Sequence, residues 1–246
     1  MDMTGRRWGL LLTLAAIMGV VFFAVRGYTA EYAKLKRAEG IAMAYKNADA
    51  DNIVAKVEGE PITKGEFLAA YASAQSSKEV LEQEEVGQFG QGARERKDKM
   101  LNLLQKYSPD TIALAKVLVD TAVYHEATKR GLAKTEEEVN NYIKTTREAL
   151  KGARVPELER TIEILGEDYY WNNVAPKIYR KLLTIGAFKG EILRNQNLGN
   201  LTEAYRAWAD YKYELAKQAH LEVIDRTLIS STKQEALSYL QELNNI

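Results

Sequence analysis

The chain of 246 residues has no cysteine. Disulfides, thiol redox chemistry and cysteine-based zinc sites are therefore excluded. It has only two histidines, His125 and His220, and four prolines. No phosphate loop, HExxH pair or nucleophile elbow accompanies the histidines, so the pattern is not read as an enzyme and implies no cofactor or metal. A surplus of charge of one sign is lacking as well, because 34 basic residues balance 34 acidic ones. A balanced chain sets up no overall field that would gather nucleic acid. The scarcity of proline, with plentiful Ala, Leu, Glu and Lys, favours helices.

What the chain does have is one long uncharged run, Trp8 to Val25, with Arg6 and Arg7 directly before it. At 1.5 Å per residue this run spans about 27 Å, close to the hydrocarbon thickness of a bilayer. Residues 1–7 read as a cytoplasmic stub and 8–25 as a transmembrane signal-anchor. The rest is then expected on the extracytoplasmic side of the cell membrane. A cleaved signal peptide is the competing reading. It calls for small residues at the exit, where the chain has the bulky Tyr28. Arg6 and Arg7 favour an inside N-terminus, although Arg26, Lys34, Lys36 and Arg37 follow the span.

Residues 26–52 read as a stalk helix and linker, with Tyr32, Leu35 and Ile41 as a ragged apolar face. Ile53 to Val57 is a β-branched stretch expected to form a short strand, followed by a turn at Gly59 to Pro61. Thr63 and Glu66 have capping-box spacing, and Ile62 with Phe67 has staple spacing, so a helix is expected from Thr63. Residues 76–106 read as two charged helices, 77–86 and 93–106, around Gly87, Gly90 and Gly92. Ser108 and Pro109 open a further helix that ends at Gly131. Thr135 and Glu138 open another, to Leu150. Pro156 to Leu165 is a short helix closed by Gly166. Residues 168–196 have helical spacing, with Pro176 and Gly186 expected to bend or break it. A turn at 195–200, a helix capped by Thr202, a second strand at Leu221 to Ile224 and a last helix opening at Ser231 complete the pattern. Two such short strands cannot stand alone, so they are expected to pair with each other. Proline at Val223 is then expected to remove a ladder donor.

Two ordered stretches resemble a known family. Val54-Ala55-Lys56-Val57-Glu58-Gly59-Glu60-Pro61-Ile62-Thr63, with Glu66 and Phe67, is similar to the opening of the SurA-type N-terminal chaperone domain found in extracytoplasmic foldases such as PrsA and PpiD. Glu58 stands where that family usually has Asn. The stretch from Ala115 to Leu132, with Asp120, Glu126, Ala127 and Gly131, followed by Thr135 to Val139, resembles the family's central helix pair. Trp208 to Asp225 is similar to its closing helix and strand. The resemblance implies a mainly α fold: a transmembrane helix, then a helical chaperone domain at 53–226 whose ends are joined by a small two-stranded β element, then a C-terminal helix at 227–246. Such foldases often insert a parvulin prolyl-isomerase domain before the closing helix. Between Ile192 and Thr202 there is no room for one.

The resemblance implies an ATP-independent, membrane-anchored chaperone for unfolded or secreted polypeptides, without prolyl-isomerase activity, able to self-associate. The alternative is a membrane-anchored structural or adaptor protein that binds one defined envelope partner. Aromatic side chains are the candidate polypeptide-binding residues: Tyr169, Tyr170 and Trp171, with Tyr205, Trp208 and Tyr211. Aromatics give large contact area with a polar handle, which suits loose selection; the competing role is core packing. Glu136 to Glu138 are read as acids at the positive end of a helix dipole rather than as a metal patch. Arg94, Arg96, Lys97 and Lys99, interleaved with Glu95 and Asp98, read as a solvated helix face.

Overall fold

The computed structural model describes residues 31–84, 90–195 and 200–246. The anchor run at 8–25, the stub before it, Gly87 and most of the 195–200 turn lie outside the described residues. No helix among the described residues is long and apolar enough to cross a membrane.

The described chain is mainly helical with one small sheet. Helix α1 covers 31–46. Strands β1 (Ile53–Val57) and β2 (Glu60–Thr63) follow, then α2 (Lys64–Gln83), α3 (Gly90–Lys106), α4 (Pro109–Lys129), α5 (Glu136–Leu150) and α6 (Pro156–Leu165). A single helical rod runs from Glu167 to Asn195: a short α7 (Glu167–Tyr169), a π turn (Tyr170–Val174) and α8 (Ala175–Asn195). Helix α9 (Leu201–Gln218), strand β3 (Leu221–Val223) and α10 (Lys233–Asn244) close the fold.

The expected pairing of the two distant strands is present, with Val57 opposite Leu221 and Ala55 opposite Val223. The sheet, however, has three strands in the order β2-β1-β3, not two. Residues Glu58 (φ 52°) and Gly59 (φ 83°) form a two-residue hairpin with positive φ at both positions, the geometry that suits the strand twist. Pro61 is tolerated because β2 is an edge strand, where a missing N–H costs no ladder bond. The Ile224 N–H donates to Val54 O and the Glu58 N–H to His220 O, so the amides at 222 and 224 face β1. The Val223 N–H points the other way, and proline there would remove no ladder donor.

Caps fix most helix starts where the sequence put them. Thr63 with Glu66 and Thr135 with Glu138 form capping boxes, and Ser108 caps α4 ahead of Pro109. Gly131 (φ 75°) ends α4: Leu132 N–H reaches Ala127 O and Gly131 N–H reaches Thr128 O, a Schellman motif. Two caps differ. Asn200, not Thr202, caps α9 by accepting from the Glu203 N–H at 3.0 Å. Thr232 with Glu235, rather than Ser231, opens α10. Helix α2 also runs unbroken through residue 77 to Gln83, and α3 begins already at Gly90.

A large core joins the sheet to α2, α4, α8, α9 and α10, with Phe67, Leu114, Leu118, Phe188 and Ile229 fully buried. Ala236, Leu237 and Tyr239 of α10 belong to it, so the C-terminal helix is integral to the domain. A second, smaller core gathers Val139 and Ile143 of α5 with Tyr170, Trp171 and Val174 of the π turn. Helix α1, read from sequence as a stalk, lies along the domain. Ala33, Ala38, Ala42 and Ala44 are buried, and a Cβ added at Gly40 would sit 2.8 Å from that of Ala72, so only glycine allows this approach to α2. Along α6, Arg37 pairs with Glu157 at 2.6 Å, Arg160 with Glu39, and Lys46 Nζ donates to Ile164 O at 3.1 Å.

Candidate functional site

A groove of about 530 Å³ opens between α1, α2, α4 and α8. Its floor is built from small side chains. Ala69, Ala70 and Ser73 of α2 share one face with Glu66 at helical spacing, and Val117 of α4 lies beside them. One wall is the row Val174, Ile178, Leu182 and Ile185; the other is Ile41 and Tyr45 of α1. Measured along α7–α8 from Tyr169 to Ile185, the groove is about 24 Å long. Leu182 is 56% exposed, unusual for a leucine in the wall of a concave surface.

The charged groups of the groove are paired. Lys181 Nζ donates to Thr121 Oγ1 at 3.0 Å and lies 3.5 Å from Glu66 Oε1. The other Glu66 oxygen accepts from the Thr63 N–H, so one carboxylate both caps α2 and holds Lys181. Lys177 bonds Asp51 at 2.6 Å at one end, and Lys116 bonds Asp120 at 2.6 Å within α4. Burial, reinforced by the Glu66 charge, pushes the Tyr45 phenol well above its ordinary range and keeps it neutral. The result is an apolar trough with ion-paired lips.

The π turn sets the face that α7 shows to this trough. Pro176 has no N–H, so an α-helical bond to Asn172 O is impossible there. The rod responds with a wider turn, closed by Ala175 N–H to Tyr170 O. Such single π turns recur at functional sites. Here it turns Tyr170 and Trp171 inward while Tyr169 and Asn173 face the groove, with buried Val174 between the second core and the groove wall. Gly186 does not break α8.

The six sequence-selected aromatics are not brought together. Tyr169 lines the groove, 42% exposed, with its hydroxyl donating to Tyr45 O at 3.3 Å. Tyr170 and Trp171 are buried in the second core, their rings edge-to-face at 4.8 Å, with Arg147 over the indole. Burial, with Tyr179 alongside, raises the Tyr170 phenol above its ordinary value. Trp208 is buried in the large core, and partly buried Tyr211 stacks on it and packs against Phe188. Tyr211 also accepts a hydrogen bond from Arg130 at 3.1 Å. Tyr205 is 65% exposed but sits on α9 under Lys189, outside the groove. Sequence reading missed the floor of the groove. The available signal was the i, i+3, i+4, i+7 spacing of Glu66, Ala69, Ala70 and Ser73, which reads as ordinary packing.

His125 lies 3.4 Å from Glu60, and exposed His220 makes only backbone contacts with Glu58. Glu138 serves its capping box, and Lys134 and Thr135 hold its carboxylate down at about 2. Among the described residues, no three His, Asp or Glu side chains converge as metal ligands. Comparison of the chain with protein-family profiles, curated proteins and solved structures finds no match.

Proposed function

We propose that this chain is a membrane-anchored, extracytoplasmic chaperone-like protein of the SurA N-terminal type. It holds unfolded or partly folded polypeptides in the α1–α2–α4–α8 groove, without ATP, cofactor or prolyl-isomerase chemistry. The observation that carries the reading is the groove itself: a long apolar trough with a small-residue floor and exposed Leu182. Small floor residues let a backbone approach closely, and the apolar walls receive side chains of many shapes. The paired lips leave no free charge demanding one particular partner group. Of the selected aromatics, Tyr169 retains the proposed binding role; Tyr170, Trp171, Trp208 and Tyr211 act through packing.

The test is aggregation of a denatured protein in the presence of the purified chain. The proposal expects slower aggregation and no acceleration of prolyl isomerisation in a peptide assay. Leu182→Glu should weaken holding severalfold while leaving helical content unchanged, since Leu182 is largely exposed. A folded chain that leaves aggregation unchanged at severalfold excess supports the adaptor role instead.

A further inference from the structure

One end of the molecule gathers basic side chains from segments far apart in sequence. Helices α1 and α2 are antiparallel: Gly40 meets Ala72, and Lys36 lies 3.8 Å from Glu79. The start of α1 therefore sits beside the end of α2. Lys97 of α3 donates to Glu82 O at 3.0 Å and Glu84 O at 2.6 Å, which brings the N-terminal half of α3 to the same end. Arg154, in the α5–α6 loop, lies 3.8 Å from Glu31. All of residues 151–155 are exposed. The segments 31–37, 78–84, 91–99 and 151–155 together hold ten basic and six acidic residues, in a chain whose net charge is zero. Arg94, Arg96 and Lys99 are exposed and make no ion pair among the described residues. Tyr32, 56% exposed, and Val155 add apolar surface at the same end.

This is the end at which the described chain meets the segment 1–30. From Val25, the last residue of the apolar run, to Glu31 is six residues, at most about 22 Å even when fully extended. We infer that this face is a second membrane contact. Lys34, Arg94, Arg96, Lys151 and Arg154 lie on anionic phospholipid headgroups, with Tyr32 at the interface. The inference rests on the anchored reading of residues 8–25. Its physics is that of juxtamembrane basic clusters, which are drawn to an anionic surface, together with the preference of tyrosine for the interface. The contact would hold the domain upright, with the groove away from the lipid.

The absence of native cysteine makes the test direct. The full chain carrying a single fluorophore at Arg154→Cys, Gln91→Cys or Asn47→Cys is reconstituted into phosphatidylcholine vesicles with or without about 30% phosphatidylglycerol, where the surface potential differs. Quenching by headgroup-spin-labelled lipid is then measured. Positions 154 and 91 should be quenched at least about threefold more in anionic vesicles, and 500 mM salt should abolish the difference by screening. Asn47, at the far end of α1, should show no such difference. Arg94→Glu/Arg96→Glu/Lys151→Glu, exposed positions all, should remove the effect with unchanged circular dichroism. Equal quenching in neutral and anionic vesicles, from a chain that resists alkaline carbonate extraction, overturns the contact and leaves the anchor standing. Release of the chain by carbonate overturns the anchor and the contact with it.

Discussion

The two cores are built differently. The large core combines many aliphatic side chains with Phe67, Phe188, Trp208 and Tyr239, all on regular helices, and is tied at its edge by a three-stranded sheet. The small core centres on Tyr170 and Trp171 and depends on a helix defect, the π turn at Tyr170–Val174, to point three nearly consecutive side chains the same way. The first is a sum of many regular elements. The second hangs on one local departure from regularity, and it supports one side of the groove. Stability and function are therefore expected to separate along this line, with the large core setting global unfolding and the small one local opening.

The sharpest way to break that comparison is to hollow out each core. Phe67→Ala should cost about 3–5 kcal/mol and lower the melting of the whole domain as a single transition. Trp171→Ala removes a comparable side chain but should cost nearer about 3 kcal/mol, spent on opening α5, α6 and the π turn. Hydrogen exchange would see those helices lose protection first, with α4 unchanged. Uniform loss of protection would show that the two cores are one unit. A finer cut uses the caps. Thr135→Ala at the small core and Thr232→Ala at the large one should each cost about 1 kcal/mol in denaturant titration. Only the first should also raise exchange in α5 selectively.

The smallest effect is in pH. The Glu138 carboxylate is held at about 2 by Lys134 and Thr135, and Glu235 is lowered by Thr232. A group lowered on folding contributes stability above its unfolded value. That contribution is lost as pH falls through its folded value. The contribution of the α5 box should thus be complete above about 5 and fade toward 2. Glu138→Gln should flatten that part of the pH–stability curve, and a parent curve already flat there would contradict the assignment.

Sequence reading recovered the local features because their signals are local. Thr63 with Glu66, Ser108 with Pro109, and Gly131 each specify a boundary from within one turn of chain. The pairing of β1 with β3 was legible because two isolated strands each needed a partner. Strand β2 was not, because Glu58-Gly59 and Pro61 look like one longer turn until the edge position of β2 is known. The aromatics were found, but which of them are buried was not. Consecutive residues such as Tyr169, Tyr170 and Trp171 point apart on an ideal helix, and the π turn alters that in a way only Pro176 hints at. The groove was invisible because its floor is alanine and serine, residues whose spacing signals close packing of helices equally well.

Helix α1 is also a ruler. Glu31 and Ile41, the first α1 residue to line the groove, are ten residues apart, about 15 Å along the helix axis. For a domain seated on the membrane by its basic end, the groove mouth stands no higher than that above residue 31. An extended polypeptide advances about 3.3 Å per residue. Under the proposed chaperone reading, a client leaving the bilayer surface would reach the groove after roughly five residues, long before enough chain has emerged to form a helix that is stable by itself. On that reading the reach would be set by the length of one helix, so inserting or deleting whole turns in α1 ahead of Ile41 would change when in its exit a client is first caught.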